Sequence, residues 1–589
     1  MHRLATRLVA LVAVALVAPF AQAQTPTVTV TNDITANTTW TANEVYLLDN
    51  IIYVRPGATL TIEPGTVIKG KKVPTASSGD NTSGLIVMVG ARLVADGRQD
   101  APIIFTAEID DVDDPSDTDE FTRQEWGGIV LLGRSTTNAT PAITNIEGVD
   151  PSDDTRFGCD SSTAGFACDE DDDSGVLRYV SIRHAGFGLR PGNEINGLTL
   201  GAVGRGTVLE HIEVFANSDD AFEFFGGTAQ AKYLVSAFVG DDGLDTDRGF
   251  RGKVQYFFLI NNPGLDGGRC TETDGGVSDF GGEDSQPYAR PIYSNLTCIG
   301  AGTNADRSQL GEDGNSATFQ IRDNSGGAFY NSIATEYPGT AINLEALASG
   351  EDTENRFGTN TEGTDDLVIR NNLFFGYGGG ADFASLVDDD SDNAASRQQE
   401  IEAAIAGANT IADPQLAGVC RAQGCGTLDP RPLASGPAAA GASFSDNQLD
   451  GDDFFDEVDY YGAFEPTSSA SSGDNPTWLS GWTALAQMGY LSGAATPVAG
   501  GPEAAFSLAV GPNPTRGDAT VRFTLGRAQR ARIALYDVLG REVAVVAEGA
   551  FAAGEASAVA PTAGLPAGVY VLRLQGEAGA VARTLSVVR

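Results

Sequence analysis

The sequence predicts an all-β chain, with a long parallel β-helix followed by a small C-terminal β-sandwich. Short apolar strings return about every 21 to 23 residues in the middle of the chain, with no helical pattern between them. The 72 glycines favour many turns between these strings. After residue 505 the pattern changes to alternating strands that are typical of a sandwich with its own core.

The recurring strings each have the length of one strand. They are RYVSIRH, EHIEVFA, KYLVSAF and VQYFFLI, which begin at Arg178, Glu210, Lys232 and Val254. One strand in about twenty residues is the repeat expected for one turn of a coil of parallel strands. Each turn of such a coil buries its inward side chains only against its neighbours, so the stacking of turns creates the core.

The β-helix is expected to span residues 24–465 and to include acidic, glycine-rich loop insertions. Strands around the string TVTVTNDITANTTW are expected to cap its first turn, because an open coil end exposes strand edges. At the other end, the string SRQQEIEAAIAGAN from Ser396 predicts a helix. The Pro- and Ala-rich run DPRPLASGPAAAGASF follows it and is expected to lie across the side of the coil.

Three asparagines open equivalent strings, at Asn295, Asn331 and Asn371. A side-chain amide both donates and accepts hydrogen bonds, so equivalent amides on neighbouring turns can join into a ladder. The sequence therefore predicts an asparagine ladder along the coil.

The N-terminal residues predict export. Residues 1–23 contain two arginines, an apolar run from Leu8 to Phe20 and a small-residue cleavage site, the three parts of a secretory signal peptide. The apolar run is too short to span a bilayer as a helix. No later stretch is expected to span a membrane.

The net charge limits the partners. There are 79 acidic and 37 basic side chains, so the formal net charge is 37 − 79 = −42. Such a chain repels nucleic acids and anionic membranes, and we expect neither as a partner. Cations and neutral sugars are compatible with this charge.

The six cysteines predict three disulfides, because exported chains form them readily and these cysteines lie near one another in sequence. The expected pairs are Cys159 with Cys168, Cys270 with Cys298, and Cys420 with Cys425. Buried free thiols are the alternative. Zinc sites are disfavoured, because the chain has only three histidines and no Cys-x-x-Cys motif.

Residues 466–504 are expected to hold a short helix and a flexible linker, and residues 505–589 the β-sandwich. This last region carries PNPTRG at 512–517, YDVLGREV at 536–543 and LPAGVYVLRL at 565–574. With these motifs it resembles the C-terminal sorting domain (type A) of the type IX secretion system, an immunoglobulin-like sandwich. The resemblance implies delivery by the type IX machinery, through the periplasm, to the outer cell surface or the medium. An ordinary binding module is the alternative.

The preceding region resembles right-handed parallel β-helix proteins of the pectate-lyase-like superfamily. It is also similar to a group of exported β-helix proteins, through strings such as SGVLRYVSIRHAGF and KYLVSAFVGDDGLD. This second likeness covers most of residues 40–465. The resemblance implies a fold and a location, but not an activity.

An acidic pattern returns at an interval of one turn. The string NSDDAFEF from Asn217 aligns with GDDGLDT from Gly240, which places Asp219 over Asp241, Asp220 over Asp242, and Glu223 over Asp245. Stacked turns would bring such carboxylates to about 4.8 Å from one another. They must then be solvated, protonated or bridged by a cation, and Ca²⁺ suits several flexible oxygen ligands. These six residues are a candidate calcium site, and repeated solvated turns are the alternative.

The resemblance also offers a catalytic interpretation. In pectate-lyase-like enzymes calcium bridges a polyuronate and a basic residue abstracts a proton, a role that Arg248, Arg251 or Lys253 could take here. Asp220 and Asp242 are the candidates for acid–base work in a related glycoside hydrolase. The chain departs from the lyase pattern, since no Gly-His-Gly or Arg-Ile-Lys string lies near the aspartates.

The sequence thus predicts an exported protein that binds or adheres to glycans, with calcium as its expected ion and polysaccharide as its expected ligand. A calcium-assisted polysaccharide lyase or a glycoside hydrolase is the alternative function.

Overall fold

The structure is a computed structural model, and the residues that it describes fall into two compact units, within 23–498 and within 499–589. The described residues are 26–75, 82–190, 193–264, 267–276, 284–309, 317–346, 352–360, 365–388, 396–446, 448–468, 477–491, 506–511, 515–525, 529–537, 541–551, 554–576 and 579–588. The expected signal peptide, 1–23, lies outside them. No helix within these ranges is both long and apolar enough to cross a bilayer.

Short strands dominate the first unit. The first twelve are β1 Val28–Val30, β2 Thr38–Trp40, β3 Val45–Leu48, β4 Ile51–Val54, β5 Thr59–Ile62, β6 Val67–Gly70, β7 Gly84–Val87, β8 Arg92–Asp96, β9 Ile103–Ala107, β10 Ile129–Leu132, β11 Ile143–Asn145 and β12 Arg156–Gly158. The next twelve are β13 Gly175–Arg183, β14 Gly188–Arg190, β15 Asn193–Glu194, β16 Leu198–Gly201, β17 Val208–Phe215, β18 Phe222–Phe225, β19 Gln230–Ala237, β20 Leu244–Asp247, β21 Lys253–Ile260, β22 Thr271–Asp274, β23 Ile292–Ile299 and β24 Phe319–Arg322. The last nine are β25 Gly327–Tyr330, β26 Ile333–Tyr337, β27 Ile342–Leu344, β28 Leu367–Arg370, β29 Leu373–Tyr377, β30 Val387–Asp388, β31 Thr410–Ile411, β32 Leu416–Gly418 and β33 Asp429–Pro432.

These strands form the predicted parallel β-helix. Strands β17, β19 and β21 pair in parallel at offsets of 22 and 23 residues, as in the pairs Glu210 with Lys232 and Lys232 with Gln255. The shorter strands β16, β18, β20 and β22 form part of a second parallel sheet on another face. One turn of the coil therefore contributes one strand to each sheet, as the repeat in the sequence predicts.

Each long strand bends at a residue with a left-handed backbone. The equivalent residues His211, Tyr233, Tyr256 and Asn295 have φ angles between 55° and 60°. This conformation is uncommon for side chains of this size. It recurs here because each bend residue stacks directly on the bend residue of the next turn.

The bend residues form one continuous column. Its first part is aromatic, with ring centroids 4.3 Å apart for Tyr179 and His211 and 4.4 Å apart for His211 and Tyr233. Farther along, the amide of Asn371 donates to Oδ1 of Asn331 at 2.7 Å, and both residues have a left-handed backbone. The predicted asparagine ladder is therefore present at this step and continues the aromatic column.

The interior of the coil is apolar along its length. Side chains such as Leu60, Phe105, Ile182, Phe224 and Phe257 are fully or almost fully buried in one cluster. Burial of this kind, repeated turn by turn, is the main favourable contribution to folding.

The ends of the coil are covered in different ways. The N-terminal strands that the sequence assigns to a cap are the first rungs of the coil itself, since β1 pairs in parallel with β3, and β2 with β5. At the other end, helix α1 spans Phe383–Leu386 and helix α2 spans Gln398–Ala408. The predicted helix is thus confirmed as α2, and it buries Ile401 and Ile405 against the last turns.

After α2 the chain runs back along the side of the coil. We call its described residues between 410 and 491 the return segment. The asparagine amides of the column donate to its backbone carbonyls, for example Asn331 to Ser443 at 3.0 Å and Asn295 to Tyr460 at 3.1 Å. The Pro- and Ala-rich run therefore lies across the coil as expected.

The short helix expected within 466–504 is α3, Ala484–Gln487, and it belongs to this packed return segment. Its N-terminus is capped by the buried carboxylate of Glu213, which accepts a hydrogen bond from the N–H of Ala484 at 2.6 Å. Trp482 is fully buried and meets the ring of Tyr179 edge-on at 5.7 Å. The expected linker, 492–505, lies outside the described residues.

The second unit is a small antiparallel β-sandwich, as predicted. Its strands are β34 Phe506–Gly511, β35 Ala519–Leu525, β36 Gln529–Asp537, β37 Glu542–Phe551, β38 Gly554–Ala560, β39 Gly568–Gly576 and β40 Gly579–Val587. Among the described residues they form a three-stranded and a four-stranded sheet around a separate apolar core that includes Phe523, Ile533 and Leu572.

All three predicted disulfides are present. Cys159 is bonded to Cys168, Cys270 to Cys298, and Cys420 to Cys425. The second of these joins a turn beside the short-strand sheet to the interior of strand β23.

We predict that Trp482→Ala lowers the free energy of unfolding of the first unit by roughly 3 to 5 kcal/mol, because it removes a fully buried indole between the coil and the return segment. Denaturant titration of the purified protein measures this loss. The matched control is Phe375→Ala, since Phe375 is 39% exposed and its removal should change the stability by less than about 1 kcal/mol. Equal effects of the two substitutions would contradict this account of the return segment.

Candidate functional site

The candidate site lies on the outer face of the short-strand sheet. In β18 and β20, Phe222 and Leu244 point into the core of the coil, while Glu223 and Asp245 occupy the alternate positions. Glu223 pairs with Asp245, and Asp245 pairs with Glu272 of the next turn. The register that the sequence predicted for Glu223 and Asp245 is therefore confirmed.

The turn before each strand adds further carboxylates. Asp219, Asp220 and Asp241 offer oxygens within 4.8 Å of one another, and so do Asp220, Glu223 and Asp245. The two triads share Asp220. We call these five residues the carboxylate cluster; they are five of the six residues expected to hold calcium.

The sixth expected ligand, Asp242, is held elsewhere. Its Oδ1 accepts a hydrogen bond from the backbone N–H of Arg269 at 2.7 Å, and its Oδ2 lies 3.2 Å from Nη1 of the same arginine. The backbone N–H of Asp242 in turn donates to Oδ1 of Asp220 at 2.8 Å. Asp242 therefore positions Asp220 and belongs to neither of the two triads.

Burial makes the cluster unfavourable as a set of bare charges. Asp220 and Glu223 are 7% and 4% exposed. Burial, followed by repulsion from Asp219, raises the pKa of Asp220 well above its ordinary value. Burial also raises the pKa values of Glu223 and Asp245, with repulsion from Glu147 and Asp274 respectively as the next cause. The cluster must therefore hold protons or a cation.

Further oxygen atoms at the cluster lack a partner within the described part of the chain. Thr199 lies on the neighbouring rung to Glu223 and is 2% exposed, and its Oγ1 makes no hydrogen bond there. The same holds for Oδ1 of Asp245 and for Oδ1 of Asn196, whose amide nitrogen donates to Glu223. A set made only of oxygens fits Ca²⁺ better than a transition metal.

Sequence reasoning missed the next turn of this ladder. Glu272 is 8% exposed and Asp274 is 6% exposed on β22, and both pair with arginines. Arg269 reaches Glu272 at 2.6 Å, and Arg322 reaches Asp274 at 2.8 Å. The string TETD at 271–274 alternates like LDTD at 244–247, but a loop insertion places it 27 residues later instead of 22. The interval, and not the residue pattern, hid it.

The basic residues expected to serve in catalysis are engaged by acidic neighbours. Arg248 is buried over the ring of Phe225, with its Nε 3.4 Å from Asp247. Arg251 and Lys253 pair with Glu170 and Asp452 respectively. These acidic partners all lie outside the carboxylate cluster.

Two further carboxylates on this face have raised pKa values. Burial raises the pKa of Asp247 to about 6, although Arg248 opposes the shift. Burial likewise raises the pKa of Asp274 to about 7 against the effect of Arg322. These groups titrate near neutral pH, where a proton can be exchanged readily.

Comparison with known families gives two matches. A family described as a pectate-lyase like beta helix domain matches residues 32–399, and a family described as a secretion system C-terminal sorting domain matches residues 509–588. A search of curated proteins gave no match. The first match covers the coil and the carboxylate cluster, and the second covers the sandwich.

We predict that Asp247→Asn flattens the pH dependence of folding stability. The folded pKa of about 6 exceeds the ordinary value of 3.8, so the proton on Asp247 stabilises the fold fully below about pH 4, and this stability is lost as the pH rises through 6. A shift of about two pKa units corresponds to roughly 3 kcal/mol.

Denaturant titrations from about pH 4 to 8, with a chelator present, should show a smaller loss of stability in the variant than in the wild type. Asp171→Asn is the control, since that carboxylate is 72% exposed. A pH profile of Asp247→Asn parallel to that of the wild type would contradict the assignment.

Proposed function

The chain belongs to the pectate-lyase-like β-helix domain family, and on this premise we propose that it binds glycans through a calcium ion held by the carboxylate cluster. Its C-terminal sorting domain makes it a secreted or cell-surface protein, exported through the periplasm and handled by the type IX secretion machinery. The proposed binding would therefore take place outside the cell.

The observation that carries the proposal is the pair of carboxylate triads that share Asp220. Within the described residues, the three members of the second triad, Asp220, Glu223 and Asp245, form no ion pair with an arginine or a lysine. The next rung is neutralised by Arg269 and Arg322 instead. The cluster thus concentrates negative charge at one place on a face that is compensated at its neighbouring turn.

Each part of the cluster has a separate task in this proposal. Asp220 and Asp245 would supply charged oxygens, and Asn196 and Thr199 would supply neutral ones. A bound calcium ion contributes positive charge with open coordination positions, which hydroxyl or carboxylate oxygens of a glycan can occupy. Asp242 would hold the turn in place from behind, through its contacts with Arg269.

A catalytic alternative has one observation in its favour. Asp247 and Asp274 have pKa values of about 6 and about 7, so either can carry a proton at neutral pH and act as a general acid. Against it, Arg248 is buried against Asp247 and Phe225. Binding without cleavage accounts for both facts, because it needs no basic residue with access to a substrate.

We predict that calcium raises the unfolding temperature and that the double substitution Asp220→Asn with Asp245→Asn removes most of this shift. Calcium at about 100 times its Kd stabilises a protein that binds it only when folded by about 2.7 kcal/mol. In the absence of calcium the variant should be as stable as the wild type or more stable, because the substitutions relieve repulsion between buried carboxylates.

Thermal unfolding with calcium and with a chelator measures both effects. The control is Asp171→Asn with Asp173→Asn, two exposed carboxylates on another loop. An equal calcium response in the cluster variant and the wild type would refute the proposal.

We further predict that the wild-type protein retains uronate polysaccharide on an affinity gel only when calcium is present, and releases no product from uronate or neutral polysaccharides. Release of unsaturated uronides would identify a lyase. Release of reducing sugar that Asp247→Asn or Asp274→Asn abolishes would identify a hydrolase.

A further inference from the structure

A cavity on the side of the coil has a different chemistry from the carboxylate cluster. Its volume is about 510 Å³, within the range usual for ligand sites. It is lined by Arg205, Thr207, Val208, Leu209, Glu210, Gln230, Lys232, Asp452, Asp453 and Phe454. We propose that this cavity binds a neutral saccharide, independently of calcium.

The return segment builds one wall of the cavity and is fixed to the coil. Lys253 pairs with Asp452, and Lys232 lies 2.8 Å from Oδ2 of Asp456. The ammonium of Lys232 also lies 5.0 Å from the ring centroid of Phe454, which meets the buried ring of Phe455 edge-on. The aromatic residue of the wall is therefore held in place before any ligand arrives, which lowers the entropic cost of binding.

Ion pairing neutralises most of the charged residues that line the cavity. Arg205 pairs with Asp171, and Glu210 pairs with Arg178. Lys232 and Asp452 are compensated as described above. No uncompensated cation is left among these lining residues, so the cavity is poorly suited to a uronate or any other anionic ligand.

Two polar side chains in the cavity are available to a ligand. Within the described residues, neither the amide of Gln230 nor the carboxylate of Asp453 makes a hydrogen bond or an ion pair with another side chain or the backbone. Together they offer two donors and several acceptors beside the ring of Phe454. Vicinal hydroxyls need such paired donors and acceptors, and the C–H face of a pyranose ring packs against an aromatic ring.

The experiment is a titration of the full chain with neutral tetrasaccharides of glucose, mannose and galactose, in a buffer with chelator. Tetragalacturonate serves as the anionic probe. Ligand-observed NMR and calorimetry should detect at least one neutral tetrasaccharide. Phe454→Ala should weaken this binding about tenfold, and Gln230→Ala about fivefold.

Two further variants locate the binding at this cavity. Phe121→Ala removes a phenylalanine that is 53% exposed elsewhere on the coil and should leave the binding unchanged. Asp453→Ala, at an exposed position, keeps the test valid if Phe454→Ala disturbs the packing on Phe455.

The proposal is overturned if no neutral tetrasaccharide binds, if only tetragalacturonate binds, or if Gln230→Ala, Asp453→Ala and Phe454→Ala all bind as the wild type does. Asp220→Asn with Asp245→Asn should retain neutral saccharide binding while losing the calcium response. Failure of this site and failure of the calcium site are therefore distinguished by different variants.

Discussion

The parallel register of the coil places each residue directly on its equivalent in the next turn, at the strand spacing of about 4.8 Å. This constraint favours any residue that attracts its own kind. It stacks Tyr179, His211 and Tyr233 into an aromatic column and joins Asn331 to Asn371 by their amides. These columns in turn fix the place of the return segment, which hydrogen-bonds to the asparagines and packs Trp482 on the aromatic rings.

The same register is a difficulty where the repeated residue is acidic. Glu223, Asp245 and Glu272 lie on successive rungs, and their mutual repulsion adds to the cost of burial. The chain answers in two ways. Arg269 and Arg322 neutralise the rung at Glu272, whereas Glu223 and Asp245 face neutral oxygens and other carboxylates. This contrast within one ladder is the physical basis for assigning a cation to the second group.

The sequence was a good guide where the repeat is regular and a poor one where a loop interrupts it. The interval of 22 residues between Glu223 and Asp245 is visible as a repeat, so their pairing followed from the sequence. Asp242 belongs to the same repeat, yet its side chain pairs with Arg269, which lies beyond the string that repeats. No local pattern contains that contact. The place of Trp482 was hidden for a similar reason, because its partner Tyr179 lies roughly three hundred residues earlier in the chain.

The most direct test of the central claim is to count the protons released when calcium binds at neutral pH. Calorimetric titrations in two buffers with different ionisation enthalpies give this number. If buried carboxylates hold protons until a cation replaces them, calcium must bind with a net release of protons, and less calcium must bind as the pH is lowered. Calcium binding without proton release, or no binding at any pH at which the protein is folded, would contradict the claim.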